Sequence, residues 1–354
     1  MTEPTTDPAA PPPAGEHAAP SGLVETEPRQ GELTPAVEDS PEVAVDASER
    51  RALVIGEALI DVVHRADGDV AEHPGGSPAN VALGLARLGR GVDLLTWFGE
   101  DPHGALLTEH LEASGVTIVP GSASAPRTSV ATAHVGVDGV ATYEFDLSWH
   151  VPDRWTSPPQ PPLVVHTGSI AAVLEPGGPD VADVLEARRA SATITYDPNL
   201  RPSLMPPPER TRPVVERLVA LADVVKVSDE DLAWLEPDEH PLDVARRWAT
   251  SGPAAVVVTR GGDGATAVLA TGHEVDVAAP EVDVADTVGA GDSFMGGLVD
   301  GLWSAHLLGS DARAALHAAE PEVWQRVLTR CARIAAITVS RAGANPPTSS
   351  EVDA

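Results

Sequence analysis

From Arg51 to about Gly343, short apolar runs alternate with stretches whose apolar residues recur every three or four positions. The first kind reads as strands buried on both faces, the second as amphipathic helices. ALVIGEALIDVV opens the series as a buried strand interrupted at Gly56. SPANVALGLARLG reads as a helix with Ser77 as N-cap, Pro78 at the first helical position, a stripe of Val81, Leu85 and Leu88, and Gly89 ending it. Strand VDLLTWFG and helix HGALLTEHLEASG follow. After a proline-rich loop the strands PLVVHTGS, TITYDPN, DVVKVS and AAVVVTRGGDGA alternate with the helices VADVLEARRA, PVVERLVALA and DEDLAWLE. A β-rich hairpin runs on to Val284, a helix spans Asp292 to about Leu308, and a last helix ends at Gly343. Arg127 to Asp146 differs: polar and apolar residues alternate, and Asp138-Gly139 sits between two β-rich runs as a hairpin turn. The pattern predicts an α/β fold, a doubly wound, mainly parallel sheet with helices on both faces, carrying a small antiparallel appendage.

Composition adds limits. Aromatic residues are 3% of the chain, so the core is built from Ala, Val and Leu. Residues 1–50 are acidic, rich in Pro and Ala, and without a sustained apolar period, which predicts a disordered tail; residues 348–354 are also expected to be disordered. A formal charge of -30 repels nucleic-acid backbones and anionic membrane surfaces, so neither is an expected partner. The single cysteine, Cys331, permits no internal disulfide and falls in an apolar helical pattern. No apolar run reaches the roughly 18 residues of a membrane span, and the N-terminus lacks a signal-peptide pattern. The cytoplasm is the expected compartment.

The chemistry concentrates in DTVGAGDSFMGGLVDGL, Asp286 to Leu302. Gly289 and Gly291 let the backbone turn tightly, and the sequence becomes helical at Asp292. The N–H groups of Gly289, Ala290, Gly291 and Asp292 then lie at a helix N-terminus, where an anion is favoured. A carboxylate there can take a proton from a hydroxyl while the amides stabilise a transferring phosphoryl group. The bland alternative makes Asp292 a helix cap and nothing more. The run lacks the third glycine of G-x-G-x-x-G, and no Walker A loop occurs. In HPGGSPAN, Gly75-Gly76 gives a flexible joint, and the Asn80 amide offers a donor and an acceptor to sugar hydroxyls; a plain turn and a surface amide are the alternatives. Asp61 ends a buried apolar strand, where a carboxylate needs either a hydroxyl ligand or backbone donors.

GEALID, PGGSPANVALGLARLG, DPNLRP, KVSDEDL, VTRGGDGA and DTVGAGDSF, in that order, resemble the ribokinase-like (PfkB) carbohydrate kinases and their fructokinase-like subgroup. The resemblance covers residues 51–347. It implies ATP-dependent phosphorylation of a sugar, foremost fructose to fructose 6-phosphate, with ribose, 2-keto-3-deoxygluconate, tagatose or a nucleoside as other acceptors. A non-catalytic sugar sensor is the alternative from another class. The resemblance makes Asp292 the base, Gly289, Ala290 and Gly291 the anion hole, and Asp61, Gly75, Gly76 and Asn80 the sugar contacts. Thr259, Gly261 and Gly264 then line the nucleotide, and Asn345 belongs to the adenine wall. By the same resemblance Asp286 and Thr287 contribute to a monovalent-cation site, with K+ as the implied occupant. Residues 62–76 and 127–147 form a β lid over the sugar, with a homodimer through the lid as the implied assembly.

Further positions come from the strand ends. Asp197 and Asn199 sit where open α/β sheets bind ligands, and Arg201 follows them, near phosphate or substrate. Lys226, the only lysine, ends its strand and offers a phosphate contact or a solvated charge. Many relatives carry N-x-x-E after that strand to help position Mg2+; here the register reads Ser228, Asp229, Glu230, Asp231, leaving Asp231 as the magnesium candidate. Magnesium then reaches the protein mostly through ATP and water.

Overall fold

The computed structural model describes residues 50–65, 68–136, 141–158 and 160–354. The expected tail, apart from Arg50, and the Asp138-Gly139 turn lie outside the described residues. The apolar runs form β1 (Ala52–Ile55), β4 (Val92–Leu95), β5 (Val116–Ile118), β8 (Val164–Gly168), β9 (Thr193–Asp197), β10 (Val224–Ser228) and β11 (Ala255–Thr259). These pair in parallel. Antiparallel β12 (Ala265–Leu269) and β13 (Glu274–Val277) extend one edge. The order is β13-β12-β11-β10-β9-β8-β1-β4-β5.

Burial follows the strand period of two. Ala52 and Val54 face one apolar cluster, Leu53 and Ile55 the other. The first cluster takes α1 (Ser77–Arg87), α2 (Pro102–Glu112), α7 (Ala290–Ser304) and α9 (Pro321–Val339), through Val81, Leu107, Leu298 and Leu328. The second takes α3 (Gly177–Arg188), α4 (Pro208–Leu221), α5 (Asp229–Leu235) and α6 (Pro241–Ala249), through Leu185, Leu218, Leu232 and Trp248. Helices therefore cover both faces, as the sequence predicts. From β1 the chain winds outward to β4 and β5, then returns to the other side of β1 at β8. Such a reversal opens a crevice beyond the strands' carboxyl ends, where ligands bind in open α/β sheets.

A second sheet has the order β3-β2-β6-β7, from β2 (Leu59–Arg65), β3 (Val70–Gly75), β6 (Ser129–Val135) and β7 (Ala141–Asp146). β2 pairs antiparallel with β3 but parallel with β6. The apolar run from Ala52 is thus two strands in two sheets, and Asp61 lies in the middle of the second, not at the end of a core strand.

Several boundaries differ from expectation. α1 starts at Ser77 with Gly76 as its cap residue. α7 begins two residues before Asp292 and ends at Ser304, and α9 ends at Val339. The hairpin stops at Val277, so the segment to Val284 is irregular. A short α8 (Arg313–His317) precedes α9. The C-terminus corrects the expected disorder: α10 (Ser349–Asp353) begins with a Thr348–Glu351 capping box. Its one apolar anchor, Val352, packs against Leu88 and Ile334, which supplies the burial that a seven-residue polar stretch lacks by itself.

Candidate active site

α7 begins at Gly289, whose φ of 76° is left-handed and suits glycine. The preceding loop is clamped by Asp286: one carboxylate oxygen accepts from the Val288 N–H at 3.0 Å, the other from the Gly343 N–H at 2.9 Å. Asp292 sits in the first turn and is 8% exposed. The Ser77 hydroxyl donates to one of its oxygens at 2.7 Å, and the Asn80 amide donates to the other at 2.8 Å. Each oxygen keeps a further lone pair for a ligand. Ser77 is therefore not the helix cap expected from sequence; its hydroxyl reaches across to α7, since the positive φ of Gly76 turns the chain there. Asn80, expected to hold sugar, holds the carboxylate.

The residues expected to contact sugar pack against one another next to Ser77. A Cβ on Gly75 would lie 2.3 Å from a carboxylate oxygen of Asp61, so only glycine leaves that oxygen in place. Gly76 lies against the Glu57 carbonyl. Burial raises the Asp61 carboxyl above its ordinary range, with His73 and Arg201 partly offsetting it. Glu57, which the sequence reading passed over, is buried in the β1–β2 turn and accepts from the Ala171 N–H at 3.2 Å. An acidic residue directly after a strand-ending glycine was the available signal.

Burial pushes the Glu57 carboxyl up to about 7, against lowering by backbone donors, Ser169 and Arg201. Because the folded value exceeds the ordinary 4.5, Glu57 favours the folded state at low pH and loses that contribution as pH rises from 4.5 to about 7. The full swing is on the order of 3 kcal/mol. Glu57→Gln is expected to remove it. Denaturant melts below, within and above that window should show the wild type losing ground to the variant as pH rises; a pH-independent difference would refute this.

The DPNLRP loop ties to α5. Ser228 caps that helix by accepting from the Asp231 N–H at 3.0 Å, and Asp231 accepts from the Leu200 N–H at 2.9 Å. Arg201 is exposed and donates to the Asn199 side-chain oxygen at 2.7 Å and the Leu200 carbonyl at 3.0 Å. Asn199 thus meets its own loop. Lys226 is neither solvated nor at a strand end: it is 3% exposed in mid-β10, with its ammonium 2.8 Å from Asp197. Burial raises the Asp197 carboxyl to about 6 although Lys226 opposes it.

Beside this cluster lies a cleft of about 450 Å³. Thr259, Gly261, Gly264, Thr287, Ala290 and Gly291 line it, and Phe294 with alanines of α9 forms an apolar floor. Asn345 does not line it; its amide oxygen accepts from Arg87 at 2.6 Å, because the guanidinium on α1 reaches it first. A larger hollow of about 550 Å³, by Arg51, Asp93 and Thr117, opens beside the opposite ends of the strands and contains none of these groups. Among the described residues no group of three or more His, Cys, Asp or Glu could hold a metal, and no helix is long and apolar enough to cross a membrane.

This geometry has relatives. A Rhizobium leguminosarum bv. trifolii fructokinase is 35% identical over 267 residues, covering 72% of this chain and 81% of that protein. The crystal structure of a Xylella fastidiosa fructokinase with bound ATP superposes with a TM-score of 0.74 at 25% identity, covering 85% of this chain and 96% of that one. A Vibrio cholerae O395 fructokinase in fructose-, ADP- and calcium-bound form gives 0.70 at 25% identity, covering 86% and 98%. Residues 49–351 match the family described as pfkB family carbohydrate kinase. With that match running from the first strand into the last helix, the chain belongs to the pfkB family of carbohydrate kinases.

Proposed function

We propose that the protein transfers the γ-phosphoryl group of ATP to the 6-hydroxyl of fructose. The observation that carries this is the place of Asp292, bonded to Ser77 and Asn80 on the sugar side and seated in the first turn of a helix that lines the 450 Å³ cleft. In the step, the hydroxyl oxygen bonds to the γ-phosphorus as the bond from that phosphorus to the bridging oxygen breaks. The electron pair stays on ADP, and the hydroxyl proton goes to Asp292. Of the amides expected to form the anion hole, that of Ala290 donates to the Thr287 carbonyl at 3.3 Å, leaving those of Gly289, Gly291 and Asp292 to stabilise charge on the moving phosphoryl. Asp61 and Gly75 orient the sugar, and the joint at Gly76 lets the small sheet close and exclude water.

The donor set fits a magnesium ion carried in on the triphosphate. Asp231 has one oxygen taken by Leu200, so its second oxygen is the protein's contribution, most simply through water. Magnesium, when bound, neutralises phosphate charge. Asp286 and Thr287 are assigned to a potassium ion on the resemblance alone, since both Asp286 oxygens already accept backbone N–H groups. A second copy docking on the lid is supported by Tyr143 and Phe145, which stack at 6.0 Å and stay exposed. The cytoplasm is the compartment this reading assigns.

ADP release across fructose, ribose, tagatose, 2-keto-3-deoxygluconate and a nucleoside, with and without potassium, tests the proposal. Fructose is expected to give the highest kcat/KM. A higher value for another acceptor would reassign the substrate, and no sugar-dependent ADP release would refute the kinase reading.

A further inference from the structure

We infer that Lys226 is a second catalytic group, its ammonium touching the transferring phosphoryl, and that Asp197 is the residue that positions it. The inference rests on the kinase reading above and adds to it a cation not supplied by metal.

Composition gives the first argument. The chain holds 23 basic Lys and Arg residues, and Lys226 is the only lysine among them. At every other such position arginine serves. An ammonium is a compact point charge, whereas a guanidinium is a broad planar fork. A chain that otherwise uses only arginine has kept lysine where a small charge is needed.

Location gives the second. A Cβ built on Gly291 would lie 3.0 Å from the Lys226 ammonium nitrogen, so this charge stands directly behind the second residue of α7. Gly291 lines the cleft beside Asp292. Any side chain there would press on the ammonium or separate it from a ligand at the helix N-terminus.

The third argument counts donors. An ammonium has three N–H groups. One goes to Asp197, and no other acceptor for Lys226 is found among the described residues. The second Asp197 oxygen is buried and also has no hydrogen-bond partner. A buried pair this poorly satisfied is weak as a stabilising device, because apolar residues of similar volume do as well or better. Its unused donors suit an anionic oxygen. The surrounding charge agrees: burial lowers the Lys226 ammonium, but Asp197, Asp292 and Asp231 more than offset this and hold it protonated. In the transfer, Lys226 keeps its proton. It donates one N–H to Asp197 and another to a non-bridging oxygen of the phosphoryl, while the sugar's proton goes to Asp292.

The test uses the full chain and three variants: Lys226→Arg, Lys226→Met and the double variant Asp197→Asn/Lys226→Met. The double variant leaves no lone buried charge, so it reports on catalysis even if Lys226→Met unfolds. In both Met variants kcat should fall by about 10²–10³, with the KM for fructose changed by less than about threefold. Lys226→Arg should lose at least about tenfold, because charge without compactness does not restore the contact. Chain labelled with ¹⁵N-lysine gives one side-chain ammonium resonance. It should move on adding ADP, aluminium fluoride and fructose, relative to ADP alone. A folded double variant with kcat within about tenfold of wild type, or an unmoved resonance, overturns the inference. Wild type inactive on every sugar would instead refute the kinase reading, so the two failures are distinct.

Discussion

Asp292→Asn should lower kcat by about 10²–10⁴ while leaving fructose binding nearly unchanged. The expectation follows from what the substitution keeps. Asparagine has nearly the shape of aspartate, and one of its two polar atoms still accepts. In the wild type Ser77 and Asn80 each donate to one carboxylate oxygen. An asparagine can place its oxygen toward Asn80, and the Ser77 hydroxyl can rotate to accept from its amide. The pocket then survives, but the group that takes the hydroxyl proton does not. Calorimetric titration with fructose and steady-state ADP release separate the two. A variant retaining kcat within about tenfold of wild type would remove Asp292 from the chemistry.

Gly76→Val should damage both the fold and the site. Gly76 has a φ of 102°, a region L side chains avoid, and a Cβ there would lie 2.5 Å from the Glu57 backbone oxygen. Strain and overpacking together should cost about 3 kcal/mol, lowering Tm by roughly 6–12 °C. The chain can accommodate valine only by shifting residues 75–77, and Ser77 is the residue whose hydroxyl holds Asp292. A displacement on the order of 1 Å at a reacting group costs about 10² in rate, so kcat/KM for fructose should fall by about that factor. Thermal melts and steady-state kinetics on the same preparation decide it. Lost stability with unchanged kcat/KM would show that the joint serves folding alone.

Much of this protein is legible from local pattern. Apolar runs such as LVVH and VVKV lack helical period and fit strands buried on both faces; the alternation with helices then fixes a parallel sheet. The GAGD run marks a helix start by glycine chemistry alone, and the segment from Arg127 to Asp146 shows strand alternation. Other assignments failed for a shared reason. Ser77 reads as a cap because serine before proline at a helix start usually is one, yet its hydroxyl bonds a residue 215 positions away. Lys226 reads as a strand-end charge, whereas Asp197 on the neighbouring strand draws it inward. Asn345 is taken by Arg87, and the C-terminal residues gain a helix only because Leu88 and Ile334 offer Val352 a place to bury.

The sequence by itself determined most of the segments that become strand or helix, that the sheet is mainly parallel and covered on both faces, and where a glycine-bent helix start presents a carboxylate. These depend on interactions within a few residues, whose periods and backbone preferences are written locally. The tertiary structure decided the partners of that carboxylate, the burial of Lys226 against Asp197, and the union of Asp61 with Gly75. Those contacts arise where α1 meets α7 and where β10 lies beside β9, and neighbouring residues along a chain carry no record of which distant side chain packing will bring within 3 Å.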